Sequence, residues 1–381
     1  MARKQTSHSL TVKHPKVKVQ VNMLEFVVSL KDGVVSSEAR NVPIPEPADD
    51  EVCIKVVATD SNPKDWKFAA RLTINGGDDI AGIVHKVGSK VYDFKPGDRV
   101  AAFHKMTYPG GSYAEYAVAP STTTFFLPPS ISFESGATLP LASMTAALAL
   151  YQGLKLPLPW TPVPKGQHLP VLIYGGSSAV GAYALKFAKL SGLHPIITVA
   201  GSGIDFVRSL DCADYIVDYR RGNVAGEIRK ILDDAAEGGP LKLRHAFDAI
   251  CEHGSWDHIC EVLDKDGPSP GQLNMVDPPT PVPQWPQGIE MKRTFVSTAY
   301  GVKHSLCSDE EAARDRDFAY VFYRYMSLLM AEGKFEPHPY EVLPKGLSSV
   351  QDGIQALYDR KVSSKKLVYR IADTPGLEKY Q

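Results

Sequence analysis

The sequence predicts an α/β protein in which a β-rich portion is joined to a doubly wound parallel sheet. Three observations carry this. From Val21 to about Leu127, short alternating runs are broken by Gly, Pro and Asp, the mark of strands and turns. From Leu169 to about Val302, apolar runs alternate with helical patterns, which means parallel strands covered by helices. Between the two lies Pro157–Pro170, whose five prolines give it the composition of a linker.

In chain order, Glu51–Ala58 alternates as a strand. Ile80–Gly88 reads as strand and turn, Phe94–Ala102 as turn and strand, and Ser112–Val118 as a further strand. Ser132–Ala137 begins a helical stretch that resumes over Ser143–Tyr151. The parallel sheet is predicted from strands at 171–174, 195–199, 214–217, 245–250, 271–276 and 294–299. Beyond it, Ala312–Gly333 reads as a helix, Leu347–Lys361 as an amphipathic helix and Lys366–Ile371 as a closing strand. The division is a tail at 1–20, one domain from 21–160 and 303–381, and a second at 161–302. The tail is basic and polar without an apolar run, which predicts a flexible arm and not a secretory signal.

Composition narrows the function. Hydrophobic residues make up 44% and charged residues 22%, as in an ordinary soluble protein, here expected in the cytoplasm. A net charge of −1 without a basic stripe argues against a nucleic-acid partner. No apolar run nears the ~20 residues of a membrane span. Five scattered cysteines form no CxxC pair, so neither a disulfide framework nor a zinc knuckle is expected.

The segment Val171–Gly181 is the most informative. An apolar run ends in Gly175-Gly176, Ser177 and Ser178 follow, and Ala179-Val180-Gly181 opens a helical pattern. Strand, glycine turn and helix place a pyrophosphate on the positive end of the helix. Gly181 allows close packing of helix on strand. The next strand runs out into Gly201-Ser202-Gly203 with no acid at its tip. A carboxylate there would hold a ribose 2′-hydroxyl and repel a 2′-phosphate, so NADPH is preferred over NADH. Ser202 is the expected phosphate contact, or else an N-cap for the following helix. Tyr219 could stack on adenine, or pack as a core tyrosine.

Several motifs resemble the medium-chain dehydrogenase/reductase superfamily over nearly the whole chain: Gly97-Asp98-Arg99-Val100, Gly110–Tyr116, Gly175–Gly181 and Asp218-Tyr219-Arg220. Within it, Ser61–Lys67, Leu139–Ala146 and Leu156–Pro162 resemble fungal trans-acting enoyl reductases, the partners of polyketide synthases, and related quinone-oxidoreductase-like proteins. The resemblance implies a GroES-like β-rich catalytic domain and a Rossmann domain. Zinc-dependent members place a Cys at or near Asn62 and a His-Glu pair where Gly77-Asp78-Asp79 stands. Without those ligands a catalytic zinc is not expected.

The chemistry implied is hydride addition to a double bond activated by a carbonyl. Lys67 matches a lysine facing cofactor and substrate, and Thr145 a threonine at the nicotinamide end whose hydroxyl can donate. These two are the catalytic candidates. Asn62, Lys64 (as a phosphate contact) and Ser363 join Lys67 and the glycine-turn residues as cofactor contacts. The expected substrate is a carrier-bound polyketide acyl thioester, delivered by a synthase to a monomeric reductase. The rivals are an enzyme acting on free quinones, enones or other small molecules, and a non-catalytic protein that keeps the NADPH fold.

Overall fold

The computed structural model describes residues 21–235, 241–267, 269–278, 285–303 and 307–377. The tail at 1–20 and most of the proline-rich loop Pro278–Pro286 lie outside the described residues.

The chain opens with a hairpin, β1 (Asn22–Lys31) and β2 (Val34–Pro43). Its turn is Asp32-Gly33 with φ of 48° and 78°, the left-handed pair that a two-residue turn between twisted strands requires. Then come β3 (Glu51–Ser61), α1 (Pro63–Ala69), β4 (Asp79–Val87), β5 (Arg99–Phe103), β6 (Tyr116–Pro120) and β7 (Thr124–Phe126). Helices α2 (Phe133–Ala137) and α3 (Pro140–Ala147) follow, and α3 runs on as a π-turn over Leu148–Gly153.

The second half holds β8 (Val171–Tyr174), α4 (Ala179–Leu190), β9 (Ile196–Ala200), α5 (Ile204–Ser209), β10 (Tyr215–Asp218) and α6 (Val224–Asp234). It continues with β11 (His245–Asp248), α7 (Ser255–Val262), β12 (Gly271–Met275) and β13 (Ile289–Arg293). All six strands pair in parallel in the order β10-β9-β8-β11-β12-β13. The order reverses between β8 and β11, and ligands bind at such a switch point, outside the carboxyl ends of the strands.

One predicted strand is wrong. Residues 294–299 do not extend the sheet: Val296–Tyr300 is a 3-10 turn, and the edge strand is β13 just before it. The β-branched, apolar run Thr294–Ala299 reads as a buried strand, whereas Ile289–Arg293 is too polar to do so. Edge strands with one wet face carry that polar pattern.

The chain then returns to the first lobe through α8 (Asp309–Ala331), β14 (Tyr340–Val342), α9 (Val350–Tyr358) and β15 (Lys366–Arg370). A seven-stranded sheet runs β14-β15-β3-β4-β5-β7, with β6 also paired to β3. The lobes share one apolar core. Phe103 and Phe125 of the first lobe, Ile173 and Phe187 of the second, and Phe322 of α8 belong to a single buried cluster. Such packing fixes how the lobes face one another across the cleft.

Candidate active site

The glycine turn has the shape of a phosphate cradle. Gly175 has φ 88°, and a Cβ on it would lie 2.2 Å from Ile250 Cγ1. A Cβ on Gly181 would lie 2.2 Å from the Gly175 carbonyl oxygen. Both positions therefore exclude a side chain, and α4 starts hard against the end of β8. Ser178 is the N-cap: its hydroxyl accepts from Gly181 N at 3.0 Å and donates to Gly175 O at 2.8 Å. The first-turn N–H groups of Ala179 and Val180 precede the first helical hydrogen bond and point out of the helix end, as a pyrophosphate needs. Ser177 packs on the far side, against Gly203.

At the ribose end, Ser202 is exposed. It is not the N-cap of α5, a place taken by Gly203. Tyr219 is not a core residue: it is 49% exposed and its ring lies against Gly201, where a Cβ would meet Tyr219 Cε1 at 2.4 Å. Arg220 beside it grips Asp218 with Nε at 2.8 Å and Nη2 at 2.6 Å, neutralising the one acid at the end of β10. The Arg220 pair holds the Asp218 carboxyl down at about 2. The first lobe reaches this end through Ser364, close to both Ser177 and Gly203, while Ser363 is exposed beside it. Sequence reasoning named Ser363, but the nearer residue is Ser364, held at φ 57°.

Helix α1 forms the first lobe's side of the cleft. Lys67 reaches across and meets Asp277, just past β12, with Nζ–Oδ2 at 2.5 Å. Arg293 stands 3.8 Å from the same carboxylate. Asp277 was not foreseen, because nothing in sequence links positions 67 and 277. Cys251, at the end of β11, accepts a bond from Asp277 N at 3.4 Å, and burial pushes its thiol well up, so it packs and is no nucleophile. Thr145 is buried, and its hydroxyl donates to Leu141 O at 2.8 Å. The expected donor role is thus taken by its own helix. What remains free is the oxygen's capacity to accept, which suits a carboxamide N–H.

Two expected cofactor contacts are engaged internally. Lys64 donates to Gly76 O at 2.6 Å and pairs with Asp65 Oδ1 at 2.6 Å and with Asp78. Three acceptors use its three N–H groups and leave none for a phosphate. Asn62 is buried: its Nδ2 donates to Asp79 Oδ2 at 2.6 Å and its Oδ1 accepts from Lys366 Nζ at 2.9 Å. Lys366 also sits 3.1 Å from Asp79 and 2.8 Å from Asp60. Burial drives the Asp60 carboxyl well up, against the pull of Lys366. Burial also opposes charge on Asp79, but Lys366 and hydrogen bonds from Asp60, Asn62 and Leu141 N outweigh it and hold Asp79 low. One ammonium and two carboxyl groups thus fill the place where the resemblance puts the ligands of zinc-dependent members. Asn62 and Asp79 are already committed to an ammonium, so this donor set does not fit a zinc ion.

The alcohol dehydrogenase GroES-like domain matches residues 48–129. A trans-enoyl reductase of Gibberella fujikuroi is 39% identical over 83% of this chain and 91% of its own length. Another, from Alternaria alternata, is 32% identical over 88% and 95%. Among solved structures, the enoyl reductase CurK superposes with a TM-score of 0.65 at 19% identity, covering 91% of this chain and 98% of its own. The quinone oxidoreductase of Coxiella burnetii gives 0.65 at 22%, over 92% and 99%. These two likenesses carry the fold alone. At 39% identity across nearly the whole length, the chain belongs to the fungal trans-enoyl reductases of the medium-chain dehydrogenase/reductase superfamily.

Proposed function

We infer that the protein is an NADPH-dependent enoyl reductase that takes an α,β-unsaturated acyl thioester presented by a polyketide synthase carrier. The observation that carries this reading is Lys67, an ammonium brought to Asp277 just past β12, at the carboxyl end of the parallel sheet that also carries the glycine turn. Residues Gly175–Gly181 would hold the pyrophosphate, and Ser202, Tyr219 and Ser364 would border the adenosine end. The absence of an acid at the tip of β9, with Asp218 neutralised by Arg220, favours a 2′-phosphate.

Bound there, the reduced nicotinamide supplies the hydride for the β-carbon. The chain's own work is electrostatic and positional. Lys67 offers a positive charge and three donors to the oxygen that becomes an enolate, strongest when that oxygen is most negative. Thr145, whose oxygen can still accept, would hold the nicotinamide carboxamide N–H.

The test is NADPH oxidation by purified protein with equal concentrations of a crotonyl-pantetheine thioester and a simple quinone, wild type beside Lys67→Ala. Thioester turnover that drops about 10²-fold or more in the variant is the expected result. Quinone turnover alone, or thioester turnover indifferent to Lys67, refutes the reading.

A further inference from the structure

The parallel sheet sets out the cleft in strand order. The adenosine would border the ends of β9 and β10, the pyrophosphate would sit at the end of β8, and Lys67 stands just past β12. Only β13 lies farther out in that direction. Beside β13 is a cavity of about 440 Å³ to which neither the cofactor nor the hydride step gives a role.

Three elements build it. The π-turn after α3 and the residues just behind it supply Leu148 and Lys155. β13 and its end supply Lys292, Arg293 and Phe295, and α8 supplies Arg314. Contacts join the cavity to the cleft. Arg293 stands 3.8 Å from Asp277, the carboxylate that Lys67 meets at 2.5 Å. Leu148 follows Thr145 by three residues, about one helical turn. Adjacent strands lie roughly 4.8 Å apart, so β13 is one short step beyond the strand that leads to Asp277.

The four cations of the cavity face three acids that hold them loosely. Glu290 is 3.6 Å from Lys292 and Glu311 is 3.9 Å from Arg314, and pairs so long and so exposed are weak. Burial raises the carboxyl of the third acid, Asp315, against a hydrogen bond from Thr298 and the pull of Lys155 and Arg314. Lys155 has no hydrogen bond or salt bridge among the described residues, and burial, Arg314 and Lys292 all oppose its charge. It is also held at a left-handed φ of 56°, which a lysine keeps only where its surroundings impose it. Arg293 Nε is buried and without a hydrogen-bond partner among the described residues. Buried donors are normally paired, so an acceptor is what this wall lacks.

The missing acceptor is an anion, and the cofactor does not supply it, because its adenosine end lies at the opposite edge of the sheet, on β9 and β10. A carrier-bound acyl group does supply one. Its pantetheine arm carries the thioester at one end and a phosphate at the other. Leu148 and Phe295 suit the carbon chain of the arm, and ammonium and guanidinium groups suit the phosphate.

We propose that this cavity is the subsite for the phosphate of the pantetheine arm, held by Lys155, Lys292 and Arg314, so that the arm runs past Arg293 and presents its thioester to Lys67. The inference rests on the enoyl reductase reading above, with its carrier-bound substrate.

The test compares two thioesters that differ only in the phosphate, crotonyl-4′-phosphopantetheine and crotonyl-pantetheine. Wild type is assayed beside a double variant, Lys155→Gln with Arg314→Gln. Wild type should favour the phosphorylated thioester in kcat/KM by about 10-fold or more, with the difference in KM, and the double variant should bring the ratio toward unity. Both side chains are exposed, so the variant should fold, and its melting temperature checks this. Asp315→Asn removes an acid that competes for Lys155 and Arg314, and it should enlarge the ratio, a gain that misfolding cannot imitate. A readout without turnover is calorimetric titration with 4′-phosphopantetheine and with pantetheine. The phosphorylated arm should bind more tightly, less so at high salt, and lose its advantage in the double variant. Equal affinities of the two arms, or a kcat/KM ratio indifferent to all three side chains, overturn the proposal. Wild type that reduces both thioesters equally well refutes this proposal alone, whereas wild type that reduces neither refutes the enoyl reductase reading and this proposal with it.

Discussion

Lys366→Met should strand a buried carboxylate, and the structure sets how much that costs. In wild type the cluster holds the Lys366 ammonium between Asp79, whose carboxyl is held low, and Asp60, whose carboxyl is pushed well up, all essentially out of water. Methionine keeps most of the apolar stem, so packing changes little and the loss is electrostatic. Removing one partner of a buried ion pair costs about 3–5 kcal/mol. Total stability of folded proteins is about 5–15 kcal/mol, so about a fifth of the margin or more would go. The effect must also depend on pH. Without Lys366, the folded-state pKa of Asp79 rises above its unfolded value of ~3.9. A group so raised contributes stability below the unfolded value that is lost as pH rises through the folded one. The variant should therefore weaken from acid toward neutral pH more steeply than wild type. Thermal unfolding across pH 5 to 8 reads this, with a fall of roughly 5–15 °C expected at the neutral end. The paired variant Lys366→Met with Asp79→Asn removes cation and anion together and should recover at least half the loss. A single variant that loses less than about 1 kcal/mol, or a double variant no better than the single, would refute the charge assignment.

Gly181→Ala puts a methyl 2.2 Å from the Gly175 carbonyl oxygen, against the ~3.5 Å of an ordinary contact, so α4 must back away by about 1 Å. NADPH affinity measured by nicotinamide fluorescence should fall with a stability loss of about 1–3 kcal/mol, and unchanged affinity would mean that the cradle is not the phosphate site. Ser202→Asp should shift relative kcat/KM toward NADH by placing a carboxylate at the 2′-phosphate; no shift removes Ser202 from that site. His338 is buried against Phe206 and Tyr183, has neither ring nitrogen partnered among the described residues, and is pushed down to about 3 by burial and by Lys366 and Lys186. A histidine so lowered binds its proton in the unfolded chain first, so stability falls as pH drops below ~6.5, by about 2 kcal/mol near pH 5. His338→Phe should flatten that decline in urea unfolding, and an equally steep decline would place the acid sensitivity elsewhere.

What the sequence made legible was local. The strand, the glycine turn and the start of the helix lie within the eleven residues Val171–Gly181, and their spacing encodes the cradle directly. Five of the six parallel strands were apolar enough to be found, and the sixth was missed because an edge strand is patterned like a loop. The Asp32-Gly33 hairpin carried a recognisable turn pair that went unassigned between 21 and 51. The partners of site residues were not legible, since they come from distant segments: Asp277 for Lys67, Asp78 for Lys64, and Lys366 for Asn62 and Asp79. Their place in the Ser61–Lys67 motif marked Asn62 and Lys64 as cofactor contacts, and only the fold shows that their hydrogen-bonding capacity is already used.

The two lysines of α1 show why residue type and spacing underdetermine a site. Lys64 and Lys67 share a helix face and a sequence motif, yet their surroundings differ in the property that governs their chemistry. Lys67 and Asp277 are 41% and 49% exposed, and a pair so wet is worth only about 0–1 kcal/mol. Such a contact yields readily to a substrate oxygen, so Lys67 can leave its carboxylate as charge develops on the enolate. Lys64 has lost its water to two buried carboxylates and cannot leave without stranding them, which costs several kcal/mol. A mobile cation suits a charge that appears and disappears within a turnover. A fixed one suits a structural tie, so the geometry leaves Lys67 free to meet a ligand while Lys64 holds Asp65, Asp78 and the Gly76 carbonyl together.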